Sequence, residues 1–336
     1  MSLNYNKSYN EEIRKWIEKN IQYTEFLSKQ QLSARNCPLC SSANYSHFAN
    51  NGFLDYSKCY ECGLIFMNPV FDLSAINQGF RGGDDIIMSY FQIMKKYKNH
   101  NNISDSKPNP EYDNKLKDIY MYKKRGKLLD VGCSVGDFLH KAKHFYRVEG
   151  IEVNPETSLY AAKYFKVYTD YLDKLMLSQD YDIVTLNQII YGVADPVLLL
   201  KDIYKVLKND GILYINTPNS DSYAFQLFRG KVNHLYGYTT QNVFNMQSLN
   251  RLAEISGFKC DFFRTEWLDI YSMDIIEFYS NPNTFIHKRN THLENYEENI
   301  KLEDETHQKM NIDLKNGGNY LIAILKKNEK NTLFYM

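Results

Sequence analysis

The 336-residue sequence has no uninterrupted apolar run approaching the roughly 20 residues that a membrane-spanning helix needs. Its opening, "MSLNYNKSYNEEIRKWIEKN", lacks the continuous apolar core of a secretion signal. Both absences point to a cytoplasmic protein. Net charge is also missing: 40 Lys and Arg stand against 40 Asp and Glu, whereas a general nucleic-acid binder carries a basic excess. The short clusters "KKYK" (95–98) and "KKRGK" (123–127) read as solvated linker faces. Without a secretion signal, disulfides are disfavoured for the six cysteines. What is present is a 43% apolar composition, enough for a large α/β domain with an appendage.

Four cysteines form two pairs, Cys37/Cys40 in "CPLC" and Cys59/Cys62 in "CYEC", with 18 residues between them. Two residues between thiolates let each pair sit on a tight knuckle facing one ion. Two knuckles supply four tetrahedral sulfur ligands, which suits a structural Zn²⁺ and leaves no open position for a substrate. Gly63, just after Cys62, suits the sharp turn. Residues 36–70 hold too few apolar side chains to fold unaided, so the ion would hold this ribbon together. His47 is not needed as a fifth ligand and reads as a surface residue. Ahead of it, 1–35 carries Ile13, Trp16, Ile17, Ile21, Thr24 and Leu27 at helical spacing, predicting an amphipathic helix packed on the body of the protein. Segment 71–120 reads as a helical linker that could also close over a ligand.

From residue 127 the pattern alternates regularly. Strands are predicted at 127–131, 147–152, 166–170, 181–187 and 211–218, the last after an Asp-Gly turn. Helices are predicted at 137–145, 154–165 and 195–208, with Phe138, Leu139, Ala142 and Phe145 on one side of the first. Such alternation predicts a Rossmann-like, mostly parallel sheet with helices on both faces, spanning 121–336. Ligands then sit at the carboxyl ends of the strands.

"KLLDVGCSVGDFLH" (127–140) is the strand, turn and helix that would hold one. Gly132 and Gly136 allow a sharp turn and a close approach of backbone N–H groups to a ligand. A dinucleotide fingerprint requires glycine at 132, 134 and 137, but 134 is Ser and 137 is Asp. An acid at the helix start disfavours phosphate. Glu152 ends the second strand, where a carboxylate can accept hydrogen bonds from both ribose hydroxyls. A ribose, no phosphate and a positive centre describe S-adenosylmethionine (SAM).

Residues from about 37 to 327 resemble class I SAM-dependent methyltransferases, in particular a subgroup with an N-terminal four-cysteine zinc ribbon. "CYECGLIFMNP" resembles the ribbon exit, "LLDVGCSVGDFL" the cofactor loop and "GIEVNPE" the ribose strand. "DPVLLLKDIYKVLKNDGILYINTPN" resembles the helix, turn and strand after the fourth strand, and "SLNRLAEISGF" (248–258) the next helix. "KCDFFRTEW" and "GNYLIAILKK" resemble the last two of seven strands, the final one antiparallel. The resemblance implies that Asp130, Gly132, Cys133, Ser134 and Gly136 form the cofactor loop. It also implies that Glu152 binds the ribose, that Asp170 lies near the adenine, and that Asn187 faces cofactor and acceptor. Cys133, like Cys260, reads as a packing residue rather than a nucleophile.

Family members often carry Leu-Glu-His after the fourth strand, where this chain has "IYG" (190–192). They often have a later histidine that falls here near Gln241 or Asn242, within "KVNHLYGYTTQNVFN" (231–245). His234 is then the candidate base, and Tyr191, Tyr223, Tyr236 and Tyr238 are candidates for the acceptor pocket. The implied acceptor is a small polar molecule, such as a nucleotide-linked or glycan-linked sugar methylated at oxygen. Carbon methylation of a keto sugar, nucleic-acid methylation and an inactive SAM-binding partner module stay open. No base-methylating Asn/Asp-Pro-Pro motif follows the fourth strand, which reads "NQII".

Overall fold

The computed structural model describes residues 15, 19, 22–29, 32–71, 110–222, 225, 235, 238–266 and 318–328. Residues 22–28 are helical and bury Thr24 and Leu27, the inward pair of the predicted amphipathic helix. Ile13, Trp16, Ile17 and Ile21 lie outside the described residues.

The ribbon contributes strands β1 (Leu32–Ser33), β2 (Tyr45–Asn50), β3 (Asp55–Cys59), β4 (Ile65–Met67) and β5 (Val70–Phe71). Strands β2, β3 and β4 form an antiparallel meander, and β1 pairs with β5. Helix α1 (Pro110–Tyr122) follows, within the stretch read as a linker. It leads into β6 (Lys127–Val131), α2 (Asp137–Ala142), β7 (Arg147–Ile151), α3 (Pro155–Ala161), β8 (Lys166–Tyr168) and β9 (Tyr181–Asn187). Then come α4 (Pro196–Val206), β10 (Leu207–Pro218), β11 (Asn242–Val243), α5 (Met246–Ile255), β12 (Phe258–Glu266) and β13 (Tyr320–Lys327).

Seven of these strands make one sheet in the order β12-β13-β10-β9-β6-β7-β8. Strands β6 to β10 run parallel, and β13 is antiparallel to both neighbours, as predicted. Alternation along the central strands sends side chains to opposite faces. Leu128, Ile183 and Ile322 meet Leu116 and Ile119 of α1 and Phe138 and Leu139 of α2. Leu129, Val184, Leu186, Leu213 and Ile215 meet Leu200 and Ile203 of α4 and Leu249 and Leu252 of α5. Each such burial is worth about 1.5–3 kcal/mol, so the central strands are held from both sides. Helix starts follow local chemistry. Asn154 accepts from Glu156 and Thr157 N–H at α3, and Asp195 accepts from Leu198 N–H at α4. Asn245 and Ser248 form a reciprocal capping box at α5.

Several predicted boundaries shift. Helix α2 stops at Ala142, and Phe145 is half-exposed; Tyr146 takes the core position, with its hydroxyl donating to Lys123 O at 2.7 Å. Helix α3 stops at Ala161, which frees Phe165 to pack edge-on against His140. The Asp-Gly turn expected before 211 is instead an irregularity inside β10, which already pairs with β9 at Leu207.

The ribbon is stitched into this domain. Strand β11, from far along the chain, joins β4 to give the order β11-β4-β3-β2. Tyr56 donates to Thr240 O at 2.9 Å. Half-buried Arg35 donates to Met67 O, Ala194 O and Gln241 O. Leu39, Leu64 and Phe66 share a core with Phe244 and Leu249.

Candidate functional site

The four paired cysteines converge. Cys37 and Cys62 sulfurs lie 3.6 Å apart, as do those of Cys40 and Cys59. All four lie within 4.8 Å of one another. Bonded disulfide sulfurs sit about 2.05 Å apart, whereas a tetrahedron with metal–sulfur bonds of about 2.3 Å has edges of about 3.8 Å. The spacing therefore fits a shared tetrahedral ion. Each knuckle turns through a left-handed residue just after its second cysteine, Ser41 (φ 60°) and Gly63 (φ 75°). Ser41 N–H donates to Cys37 O and Gly63 N–H to Cys59 O. Hydrogen bonding with Cys62 lowers the Cys37 thiol below the ordinary cysteine value. His47 is exposed and faces Asp55 at 3.2 Å, away from ligation.

The second site lies at the carboxyl ends of β6, β7 and β9. Asp130, 2% exposed, accepts from Thr185 Oγ1 at 2.6 Å and Asn187 Nδ2 at 2.9 Å, both through Oδ1. Burial pushes its carboxyl up to about 6. Gly132 (φ 80°), Ser134 (φ 50°) and Gly136 (φ 86°) turn the loop that follows. Glu152 holds that loop: its two oxygens accept from Ser134 N–H and Asn154 N–H, both at 2.8 Å. Burial pushes Glu152 up, against these two bonds.

The loop corrects one expectation. Gly132 and Cys133 N–H groups both donate to Ile151 O, and Ser134 N–H to Glu152, so these three amides are committed within the protein. The glycines supply shape more than free donors. Cys133 is buried, and a Cβ built on Gly150 would lie 2.5 Å from its sulfur; the thiol faces β7, and burial raises its pKa. Asp170 accepts from Tyr171 N–H at 2.8 Å, at the end of the β8 edge.

Residues 105–262 match the family model described as "Methyltransferase domain". This segment, a little under half of the chain, is thus similar to methyltransferase domains. The sheet order around it, with one reversed strand, is that of the SAM-dependent methyltransferase fold implied by the sequence. Among solved structures, the chain is similar to a SAM-dependent methyltransferase from Archaeoglobus fulgidus, at 21% identity. That match covers 71% of this chain and 99% of that one, with a TM-score of 0.45. A second is a possible histamine N-methyltransferase from Thermotoga maritima, at 16% identity, 65% and 89% coverage and a TM-score of 0.44. No curated protein matches the chain significantly.

On the far side of the methyltransferase loop, the turn after β9 carries Gln188 in a left-handed conformation (φ 58°), its N–H donating to Asn216 O at 2.9 Å. A 3₁₀ turn, Ile190–Gly192, then presents Tyr191, whose phenol is raised by burial. The Tyr191 carbonyl accepts from Gln241 N–H at 2.9 Å. Gln241 is fully buried, yet among the described residues neither of its side-chain atoms has a hydrogen-bond partner; Asn242 donates to Val193 O, and its Oδ1 likewise has no partner among them. Tyr238 is buried against Tyr23 in the ribbon-side core. His234, Tyr223 and Tyr236 lie outside the described residues.

Two residues escaped sequence reasoning. Arg35 acts through contacts distant in sequence, invisible to periodicity. Lys115 lies in a stretch read as linker, though Leu116 and Ile119 at helical spacing there could have marked a packed helix.

Proposed function

We propose that this protein transfers a methyl group from SAM to a small, neutral, polar acceptor, an oxygen of a sugar or glycan intermediate being the favoured target. The observation that carries the acceptor reading is the fully buried carboxamide of Gln241 beside the Tyr191 turn, which has no partner among the described residues. A buried amide with neither atom paired costs a few kcal/mol unless a ligand supplies the missing bonds. A hydroxyl-rich acceptor offers both donors and acceptors to it. No surplus charge points to a nucleic acid. Lys123 and Lys127, of the basic cluster 123–127, are engaged by Asp210, Asp180 and Glu149.

In this reading Asp130, Gly132, Cys133, Ser134 and Gly136 shape the methionine end of the cofactor site, Cys133 through its backbone. Glu152 holds the ribose, Asp170 lies by the adenine and Asn187 faces the reacting centre. Bound there, SAM supplies an electrophilic methyl group on a sulfonium that leaves as a neutral thioether. The chain's task is alignment and exclusion of water, which can lower the barrier by several kcal/mol. Tyr191 donates a hydrogen bond to the acceptor, and His234 takes its proton. Cys37, Cys40, Cys59 and Cys62 hold a structural Zn²⁺ that keeps β4 rigid beneath β11 and Gln241.

The test is incubation with methyl-labelled SAM and fractionated extract from source cells lacking the gene. Label in a nucleotide-sugar, lipid-linked or glycan fraction supports the reading. Label in RNA or protein overturns the acceptor. No label, with S-adenosylhomocysteine still bound, overturns transfer and favours a binding module.

A further inference from the structure

The sheet face that packs against α1 changes character along its strands. Its inner part is apolar: Leu128, Ile183 and Ile212, in register across β6, β9 and β10, pack with Leu116 and Ile119 of α1. Side chains alternate along a strand, so Asn187 of β9, Tyr214 and Asn216 of β10, and Arg264 and Glu266 of β12 stand on that same face. Asn187, Asn216, Ile322 and Arg264 form one registered row across β9, β10, β13 and β12. Glu266 stands one step further toward the carboxyl edge, opposite Tyr320. Among the described residues, four buried atoms here have no hydrogen-bond partner: Asn187 Oδ1, Asn216 Nδ2, the Tyr214 hydroxyl and Glu266 Oε2.

Helix α1 fixes the far end of this strip. Asn114 Nδ2 donates to Glu266 Oε1 at 3.2 Å, and Arg264 Nη2 donates to the same oxygen at 3.4 Å. One turn on, Asp118 Oδ2 accepts from Arg264 Nη2 at 2.8 Å and Nε at 3.2 Å. One guanidinium thus serves two carboxylates, and both bonds to Glu266 go through Oε1. Glu266 is 9% exposed, so water does not make up the shortfall at Oε2. A buried polar atom in that state costs stability until a ligand pairs it. Asn216, fully buried, uses Oδ1 to accept from Gln188 Nε2, which leaves its Nδ2 as a spare donor. Gln188 N–H donates to Asn216 O, and Tyr191 O accepts from Gln241 N–H. The strip and the Gln241 carboxamide therefore meet at one turn, 188–191.

Along the strip the unmet needs alternate: an acceptor at Asn187, a donor at Asn216, an acceptor at Glu266. An ammonium ligand would satisfy the two oxygens and leave the Asn216 amide unpaired. An anionic ligand would meet the Glu266 carboxylate. A neutral polyol suits all three, since each hydroxyl both donates and accepts. Length matters as well. Strands β9 and β12 are three spacings apart in the sheet, roughly 14 Å at about 4.8 Å each. A single sugar ring is too short to reach across. We propose that Glu266 Oε2 anchors a second ring of the acceptor by accepting from its hydroxyl, with Asn216 Nδ2 donating to the saccharide between. The inference rests on the acceptor reading above and deepens it: the substrate is a neutral glycan of at least two rings, not a free monosaccharide. Glu266 is a binding residue, too far from β9 to take the acceptor's proton.

The experiment gives the full chain methyl-labelled SAM with three probes. These are the neutral glycan and nucleotide-sugar fractions of source cells lacking the gene, and a mixture of free hexoses, deoxyhexoses and N-acetylhexosamines. Label should enter the neutral glycan fraction, and the free sugars should take at least about 10-fold less. Glu266→Gln turns the spare acceptor into a donor. It should raise KM for the glycan fraction about 10-fold, the value of one charge-assisted hydrogen bond, with kcat within about threefold of wild type. Calorimetric affinity for S-adenosylhomocysteine should not change, and the urea midpoint should stay level or rise. An unaltered KM overturns the inference, and so does a parallel loss of S-adenosylhomocysteine affinity and stability, which would make Glu266 an internal brace for Arg264. Free sugars labelled as well as the glycan, or label confined to nucleotide-sugars, overturn it too. Should Glu266→Gln fail to fold, that comparison of probes on the wild-type chain decides alone. Label in RNA or protein, or no label with S-adenosylhomocysteine still bound, would instead overturn the acceptor reading beneath it.

Discussion

Gly132→Ala tests how the loop after β6 is held against the turn after β9. Gly132 has φ 80°, and a Cβ there would lie 2.2 Å from Ile189 Cδ1 and 2.6 Å from Ile189 Cγ1. The left-handed backbone costs an alanine about 1–2 kcal/mol. Forcing Ile189 aside adds about 1–3 kcal/mol of overpacking strain. Reduced freedom of the unfolded chain returns about 0.4–1 kcal/mol. The net expectation is a loss of about 2–4 kcal/mol in urea unfolding at neutral pH, together with weaker S-adenosylhomocysteine binding, since the loop must move. Ile189→Ala separates the two contributions. In that background Gly132→Ala should cost only the backbone part less the same unfolded-chain return, about 0–1.6 kcal/mol, so the pair couples by about 1–3 kcal/mol. Equal costs in both backgrounds would refute the steric argument, and no cost in either would refute the loop conformation itself.

Other expectations follow from the same contacts. Purified protein should carry zinc at one equivalent per chain, and a strong chelator or Cys59→Ser should lower the unfolding temperature; a metal-free chain of unchanged melting would refute a structural ion. Arg35→Met leaves Ala194 O without the Arg35 guanidinium bond at the ribbon seam and should cost about 2–4 kcal/mol by urea titration, more than a surface arginine does. Gln241→Leu should leave stability unchanged or raised, because it removes an unpaired buried amide, while raising KM for the acceptor once found; a loss of stability with unaltered KM would show an internal partner instead. The Asp130 carboxyl is raised from 3.8 to about 6 by burial, so the folded state holds its proton longer than the unfolded chain does. Its ionisation therefore destabilises the fold as pH rises through that window. Between pH 4.5 and 7.5 the wild type should lose about 2 kcal/mol relative to Asp130→Asn. Opposite or absent slopes in paired urea titrations would contradict the burial argument.

What was legible in the sequence was local in origin. Helical spacing, short apolar runs, the glycines of 127–140 and the paired-cysteine spacing act over a few residues, so they announced the alternating elements, the knuckles and the loop. Strand β9 falls at 181–187, as predicted, because an apolar run buried on both faces has little freedom to shift. Helix ends were less legible: whether Phe145 or Tyr146 enters the core depends on Lys123 O, which lies 23 residues away.

Composition, motif spacing and periodicity thus determined the fold class, the four-cysteine cluster and the glycine-bearing loop after β6, since each is specified by neighbours along the chain. Only the tertiary structure decided that β11 completes the ribbon's sheet and that Arg35 ties the ribbon to Ala194 and Gln241. Those pairings join segments whose separation in sequence leaves no periodic trace. They arise when burial strips water from a polar group and the nearest complementary atom, wherever it lies along the chain, takes its place.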